Sequence, residues 1–207
     1  MQKKERIAII GAGIQGVCTA LFLQKKGFSV TLFDRDEPGN AASYGNAGHF
    51  SPYASLQLNR TDILSDVPKM LLSSRGPLAL KWNYLHKMIP WFTRFIFNSS
   101  KSKMMHTAKY MHQILNLSLD AFDELFQEID LESLVENNGI IYVWENKGLK
   151  SRDLEINIRK ELGIDQQILT PKEIHDLEPN IKPFYHGGVF YKYARHARNP
   201  KKILIKL

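Results

Sequence analysis

The 207-residue chain carries 43% hydrophobic, 24% charged and 11% aromatic residues, a globular mixture that excludes a disordered, collagenous or low-complexity protein. Its single cysteine, Cys18, excludes a disulfide framework and any multi-thiolate metal centre. The net charge of +7 is laid out in blocks: residues 56–117 hold nine basic side chains against Asp62 and Asp66, residues 118–136 hold seven carboxylates and no Lys or Arg, and the tail 192–207 adds six basic groups. A blocked pattern of this kind argues against a nucleic-acid binder, and the basic tail lacks interleaved aromatics beyond Tyr193.

Lys3, Lys4 and Arg6 precede an uncharged run from Ile7 to Leu23 that superficially resembles a secretory leader. Gly11, Gly13 and Gly16 interrupt it and Gln15 sits at its centre, which favours a folded segment over a leader or anchor. Arg6 to Ile10 reads as a buried strand, residues 14–26 as a helix with Gly27 past its end, and Phe28 to Phe33 as a second strand ending at Asp34. Strand, glycine turn, helix and strand within about 30 residues make a βαβ unit.

Between the first strand and the helix lies Gly11-Ala12-Gly13-Ile14-Gln15-Gly16, a G-x-G-x-x-G run. In such a run Gly11 permits the tight turn, Gly13 lets the backbone approach a pyrophosphate, and Gly16 lets the helix pack close to the strand. The free N–H groups of the helix start favour phosphate. Asp34 stands where an acid accepts hydrogen bonds from a ribose diol, so the unit is read as a dinucleotide site. This motif leaves FAD and NAD open, since both present an ADP half.

Residues 36–55 read as a long loop, and its stretch Ala41 to Pro52 is small and rich in hydrogen-bonding groups, suited to close approach to a flat ligand. Helices are expected over about 61–74, 83–98 and 104–130, the last with Leu119, Phe122, Leu125 and Phe126 inward and the acidic run 118–136 as its solvated face. Residues 139–144 read as a strand, about 150–161 as a charged helix, and Thr170-Pro171-Lys172-Glu173 as a capped helix start. Gly188 to Tyr191 suggests a short strand, and Asn199-Pro200 opens a last helix. Two parallel strands do not complete a dinucleotide-type sheet, so the chain is read as the N-terminal part of a larger fold.

The fingerprint, the Asp34-Arg35 pair and Ser43-x-x-Asn46-Ala47-Gly48 followed by Ser51-Pro52 resemble the FAD-dependent D-amino-acid oxidoreductases, of the D-amino-acid dehydrogenase and glycine oxidase type. Weaker similarity runs through Pro77-Leu78, Lys81-Trp82 and Pro90-Trp91. It continues through Gly139-Ile140-Ile141-Tyr142, Glu178-Pro179, Gly187-Gly188 and His196 to Pro200. The resemblance implies an α/β fold with a Rossmann-like FAD-binding βαβ unit, an inserted helical segment and part of an α+β substrate domain, incomplete at the C-terminus. The expected division is 1–56 for the first half of the FAD domain, 57–136 for the helical segment, 137–191 for part of the substrate domain and 192–207 for the start of a further helix.

The resemblance further implies that Gly11, Gly13, Ile14, Gln15, Gly16, Asp34, Arg35, Ser43, Asn46, Ala47, Gly48 and His49 contact FAD, with the Ser43–Gly48 loop near the isoalloxazine. It implies oxidative deamination of a D-amino acid by hydride transfer to the flavin. The groups that grip substrate in the family lie beyond Leu207, so no catalytic residue is assigned, and Tyr44 and His49 depart from the family pattern. The alternative reading is a catalytically inactive remnant or dinucleotide-binding fragment, for FAD or NAD. A complementing polypeptide would separate the two readings. Cys18 is expected as a small residue against the sheet. The aromatic and basic stretch Lys81 to Phe97 is read as an amphipathic helix packed on the protein's own core; the alternative is peripheral contact with an anionic membrane, on its inner face, by an otherwise cytoplasmic protein.

Overall fold

The computed structural model describes residues 5–57, 59, 67, 70–71, 81–145 and 150–207. The expected helix over 61–74 and the Pro77-Leu78 pair therefore lie wholly or mostly outside the described residues. In chain order the described elements open with β1 (Arg6–Ile10), α1 (Ile14–Lys25), β2 (Ser29–Phe33) and β3 (His49–Phe50). There follow a 3-10 turn (Trp82–Tyr84), α2 (Leu85–Phe97), α3 (Lys101–Asn116), α4 (Ser118–Ile129) and a 3-10 turn (Glu132–Leu134). The remainder is β4 (Val135–Glu136), β5 (Ile140–Trp144), α5 (Lys150–Glu161), β6 (Gln167–Leu169), α6 (Pro171–Leu177), β7 (Gly187–Tyr191), β8 (Arg195–Ala197) and α7 (Pro200–Lys206).

Two compact units emerge, each discontinuous in sequence. The first gathers Met1–Ser51, Leu119–Gly139 and Tyr193–Leu207. In it β1 and β2 pair in parallel, from Arg6 opposite Ser29 to Ile10 opposite Phe33. Helix α1 buries Val17 and Ala20, and Gly27, with φ +90°, turns the chain back into β2. A second small sheet has the order β3-β8-β4, all antiparallel. Its core is Phe126, Leu131, Leu134, Ala197 and Ile203, flanked by Phe50 and Phe122.

The acidic run is more than a solvated face. Asp123 forms a two-pronged ion pair with Arg195, Glu136 accepts from Arg198 at 2.8 Å, and Lys25 on α1 bridges Glu124 at 2.7 Å and Glu128 at 2.6 Å. The block of carboxylates is thus the counter-charge of the basic tail and of the end of α1.

The second unit comprises Pro52–Ser118 and Ile140–Lys192. Its sheet has the order β5-β7-β6, antiparallel, with Tyr142 opposite Val189 and Ile168 opposite Val189 on the other side. One face carries α6 and a cluster of Leu169, Ile174 and Tyr185 against Ile141, Val143 and Phe190. Thr170 and Glu173 close a reciprocal cap at the start of α6, Thr170 N–H reaching Glu173 Oε2 at 2.8 Å and Glu173 N–H reaching Thr170 Oγ1 at 3.3 Å. A second cluster joins α3 and α5 through Met104, Ala108 and Ile158.

Two expectations are corrected. The single helix over 104–130 is two helices, α3 and α4, broken at Leu117. There the Ser118 hydroxyl donates to the Leu115 carbonyl at 2.6 Å, a local bond that competes with the helical ladder. Apolar periodicity continued across the break, yet Ile114 and Leu117 are exposed while Leu125 and Phe126 are buried. The second correction concerns the depth to which α2 is packed: Leu85, Met88, Phe92 and Phe95 are half-buried along one stripe and none is fully buried. Its Ile89, Trp91, Ile96 and Phe97 are exposed, and Trp91 packs on Phe92 and Phe95 of its own helix.

Candidate nucleotide-binding site

The first unit builds its site from the turn between β1 and α1. Gly11 has φ +108°, a conformation that only glycine adopts without strain, and it lets its N–H reach the Phe33 carbonyl of β2 at 2.7 Å. Gly13 caps the helix, its carbonyl accepting the first helical bond from Val17 at 3.0 Å. Gly16 is needed for close approach: a Cβ there would lie 1.9 Å from the Gly11 carbonyl oxygen. At Gly13 a Cβ would meet only Ser43 Oγ, at 3.4 Å, so the missing side chain leaves room above the helix start.

The helix terminus is electropositive and undiluted. Its first turn contains no acidic residue. The Ile14 N–H donates to Ser43 Oγ at 3.1 Å, and the N–H groups of Gln15 and Gly16 have no acceptor within the helix, by the geometry of any helix start. Ser43 is buried, so its hydroxyl is fixed beside that terminus and keeps a proton to donate to a ligand oxygen. These groups form a cradle that a phosphate fits.

Asp34, just after β2, accepts from Ala12 N–H at 2.6 Å through Oδ2 and from Asp36 N–H at 3.2 Å through Oδ1. The Ala12 bond first, then the Asp36 bond, hold its carboxyl below the usual carboxylate range. An ionised acid at this point suits a diol, which donates two hydrogen bonds. Arg35 extends into solvent, its Nε 3.6 Å from Asp36 Oδ2.

The loop residues are organised around a different anchor. Asn46 Oδ1 accepts from Gly48 N–H at 2.7 Å. Gly48 has φ +68° and packs on β8 and α7, where a Cβ would stand 2.8 Å from the Ala197 carbonyl oxygen and 3.2 Å from Pro200. Its own carbonyl accepts from Ala197 N–H at 2.7 Å. His49 pairs with His196 across β3 and β8, rings edge to face at 5.3 Å. Ala47 is exposed, as is Tyr44, whose ring lies under Lys201 Nζ at 4.8 Å.

Hydrogen bonds thus tie the turn to β2 and the loop in three pairs, Gly11 to Phe33, Ala12 to Asp34 and Ile14 to Ser43, while Asn46 bonds Gly48, and Gly48 and His49 are tied to β8. Sequence reasoning missed Gly39, whose N–H donates to the Ala12 carbonyl at 3.1 Å and whose Cβ would stand 2.9 Å from Leu204. Its signal was the Pro38-Gly39-Asn40 turn chemistry. It also missed the support that β8 gives the loop. Cys18 is half-buried, and burial pushes its thiol up to about 11, which makes it a packing residue and a poor nucleophile. Among the described residues no group of His, Cys, Asp and Glu could hold a metal, and no helix is long and apolar enough to cross a membrane.

Comparison with known proteins places the chain in a family. Residues 6–207 match the model of the FAD dependent oxidoreductase family, DAO. The chain is 33% identical over 203 residues to a D-amino-acid oxidase of Bradyrhizobium diazoefficiens, covering 97% of this chain and 48% of that protein. It is 22% identical over 209 residues to a D-amino acid dehydrogenase of Helicobacter pylori, covering 99% and 48%. The chain spans about half the length of these curated relatives. Among solved structures, the glycine oxidase of Geobacillus kaustophilus superposes with a TM-score of 0.57 at 14% identity, covering 98% of this chain and 43% of that one. The glycine oxidase of Bacillus cereus gives 0.55 at 19%, covering 99% and 42%. The matched family, the partial coverage of its members and the glycine turn with its acid and hydroxyl lead to one conclusion: this chain belongs to the FAD-dependent oxidoreductase family DAO.

Proposed function

We propose that the chain supplies the ADP-binding part of the FAD site of an oxidoreductase acting on the C–N bond of D-amino acids. The observation that carries this is the hydrogen-bonded set of Gly-turn, Asp34 and Ser43 around an uncrowded helix terminus. In this reading the helix start from Gly13 to Gly16 and the Ser43 hydroxyl hold the pyrophosphate, Asp34 holds the ribose diol, and Arg35 lies by the adenine end. The Asn46-Ala47-Gly48 bend and His49 face the isoalloxazine. The chemistry such a flavin supplies is acceptance of the substrate's α-hydrogen as hydride, leaving an imino acid that water hydrolyses. The names of the relatives support the substrate class.

Further polypeptide, continuous with this one or separate, completes the site. Ile10 and Phe33, at matching ends of the two parallel strands, are 92% and 54% exposed, and parallel strands are stable only when covered on both faces. The test is to incubate the 207-residue chain with FAD, pass it through gel filtration and record its visible spectrum. Co-eluting flavin absorbance supports the reading. Retention of NAD but no FAD refutes it, and a protein that holds neither is the remnant of the alternative reading.

A second reading concerns α2. Its exposed Trp91 and Phe97, with Trp82 of the preceding 3-10 turn, stand among Lys81, Lys87 and Arg94 with no acidic residue between Lys81 and Leu117, the composition of an interfacial helix on an anionic lipid surface. Co-sedimentation with phosphatidylglycerol vesicles, lost in high salt and in Trp82→Ser/Phe97→Ser, is the expected result. Equal sedimentation with phosphatidylcholine vesicles refutes it.

A further inference from the structure

The groups that cradle the pyrophosphate are electrically weak. They are backbone N–H groups at the start of α1 and the Ser43 hydroxyl. Each phosphate of a dinucleotide carries a full negative charge, and a helix terminus offers only about half a positive one. Asp34, beside the same turn, adds a negative charge of its own. Most of the phosphate charge is left for a side-chain cation to balance.

The cations of the first unit are largely committed elsewhere. Arg195 and Arg198 pair with Asp123 and Glu136. Lys25 pairs with Glu124 and Glu128 at the end of α1 remote from the glycine turn. Arg35 lies beside Asp36 with its side chain 88% exposed.

Lys201, on the first turn of α7, differs from all of these. It is half-buried, and among the described residues its side chain forms neither an ion pair nor a hydrogen bond. Its Nζ lies instead 4.8 Å from the centre of the Tyr44 ring. An aromatic face attracts an ammonium without neutralising it, so the charge and its N–H donors stay available to a ligand.

Three contacts seat this helix on the loop that follows β2. A Cβ on Gly48 would stand 3.2 Å from Pro200, a Cβ on Gly39 would stand 2.9 Å from Leu204, and Tyr44 lies under Lys201. Lys201 and Leu204, three positions apart, are neighbours on the helix surface. The same loop is tied to the nucleotide turn, since Gly39 N–H bonds the Ala12 carbonyl and Ser43 Oγ accepts from Ile14 N–H. The ammonium therefore stands over the residue that directly follows Ser43.

We propose that Lys201 is the cation of the nucleotide site, its ammonium pairing with the phosphates of FAD that the start of α1 and Ser43 hold. Tyr44 is the platform that keeps the ammonium in place and charged. The inference rests on the FAD reading and adds to it a residue from the far end of the chain.

Calorimetric titration of the full chain with ADP, which has the two phosphates without the flavin, and with FAD tests this. In Lys201→Gln both affinities fall about tenfold, as for the loss of one charge-assisted bond, with an unchanged far-UV spectrum. ADP binding by this variant also depends less steeply on salt than binding by the wild type. Lys201→Arg, which keeps the charge, stays within about threefold of the wild type. Lys201→Met, which keeps the aliphatic stem, replaces Lys201→Gln if that variant fails to fold. Unchanged ADP affinity, an unchanged salt dependence, or equal weakening in Lys201→Arg overturns the proposal. A loss for FAD alone overturns it as well, because the cation would then serve the flavin ring. A wild-type chain that binds neither ADP nor FAD overturns the FAD reading and this proposal with it, whereas the Lys201 outcomes overturn this proposal alone.

Discussion

Replacing Gly16 by alanine asks whether the first turn of α1 is as close to the preceding loop as the structure requires. The new Cβ would be built 1.9 Å from the Gly11 carbonyl oxygen and 3.0 Å from its carbon, both backbone atoms that no rotamer change can move. Carbon and oxygen settle at about 3.3 Å, so the helix start and the turn must part by about 1.4 Å. Overpacking of this kind costs about 1–3 kcal/mol; at about 2 kcal/mol the melting temperature falls by roughly 4–8 °C. The same displacement takes the Gln15 and Gly16 N–H groups out of bonding range of a phosphate. Each bond to a charged group is worth about 1.5–3 kcal/mol, so loss of two weakens FAD binding by about 100-fold or more. Gly13→Ala is the control, since its Cβ meets only Ser43 Oγ at an ordinary 3.4 Å. It should melt as wild type yet bind FAD weakly, the methyl standing in the ligand's approach. Circular dichroism melts and flavin fluorescence titrations read both. A Gly16→Ala chain with wild-type melting refutes the packing, and a Gly13→Ala chain with wild-type FAD affinity refutes the phosphate assignment.

Asp123→Asn should destabilise the first unit by about 1 kcal/mol, the range of a well-formed, partly exposed pair. The Arg195 guanidinium holds the Asp123 carboxyl below the usual carboxylate range. The pair's contribution is therefore fully present above that range and lost as pH falls through it toward the lowered folded value; denaturation of the variant against pH should lack that part of the acid slope, and an identical slope sinks the assignment. Cys18, with its thiol pushed up to about 11, should resist a disulfide-exchange reagent at neutral pH until denaturant is added; prompt labelling of the folded chain would show the thiol to be accessible and ionisable. Thr170→Ala removes one half of the reciprocal cap on α6 and should cost about 1 kcal/mol in urea titrations, while an unchanged midpoint would mean that the helix start is held by tertiary packing alone.

Local chemistry was legible wherever neighbours in sequence decide the conformation. Arg6 to Phe33 announced its own strand, turn, helix and strand, because the glycine spacing, the terminal Asp34 and the apolar runs all act within one supersecondary unit. Thr170-Pro171-Lys172-Glu173 and Asn199-Pro200 likewise placed helix starts that the structure keeps, with Thr170 and Asn199 accepting from the third residue on. The roles in FAD binding carried by Asn46 to His49 came from resemblance, and they await the titrations above.

Three elements were invisible for the opposite reason. Strands β3, β4 and β8 span two, two and three residues, too short for any period to show, and each exists only because the others pair with it. Asp123 and Arg195 meet across 72 positions, and Gly48 owes its glycine to a carbonyl on Ala197. The break at Leu117 was hidden because apolar spacing reports which residues could be buried, not which are: Ile114 continued the pattern and remained exposed. Sequence by itself determined the βαβ turn, its acid and its caps, since those energies are local. The pairing of the tail with the acidic helix, the support behind the Asn46 bend and the seat of Lys201 over Tyr44 were decided only in three dimensions, where contacts between distant segments outweigh the preferences of either one.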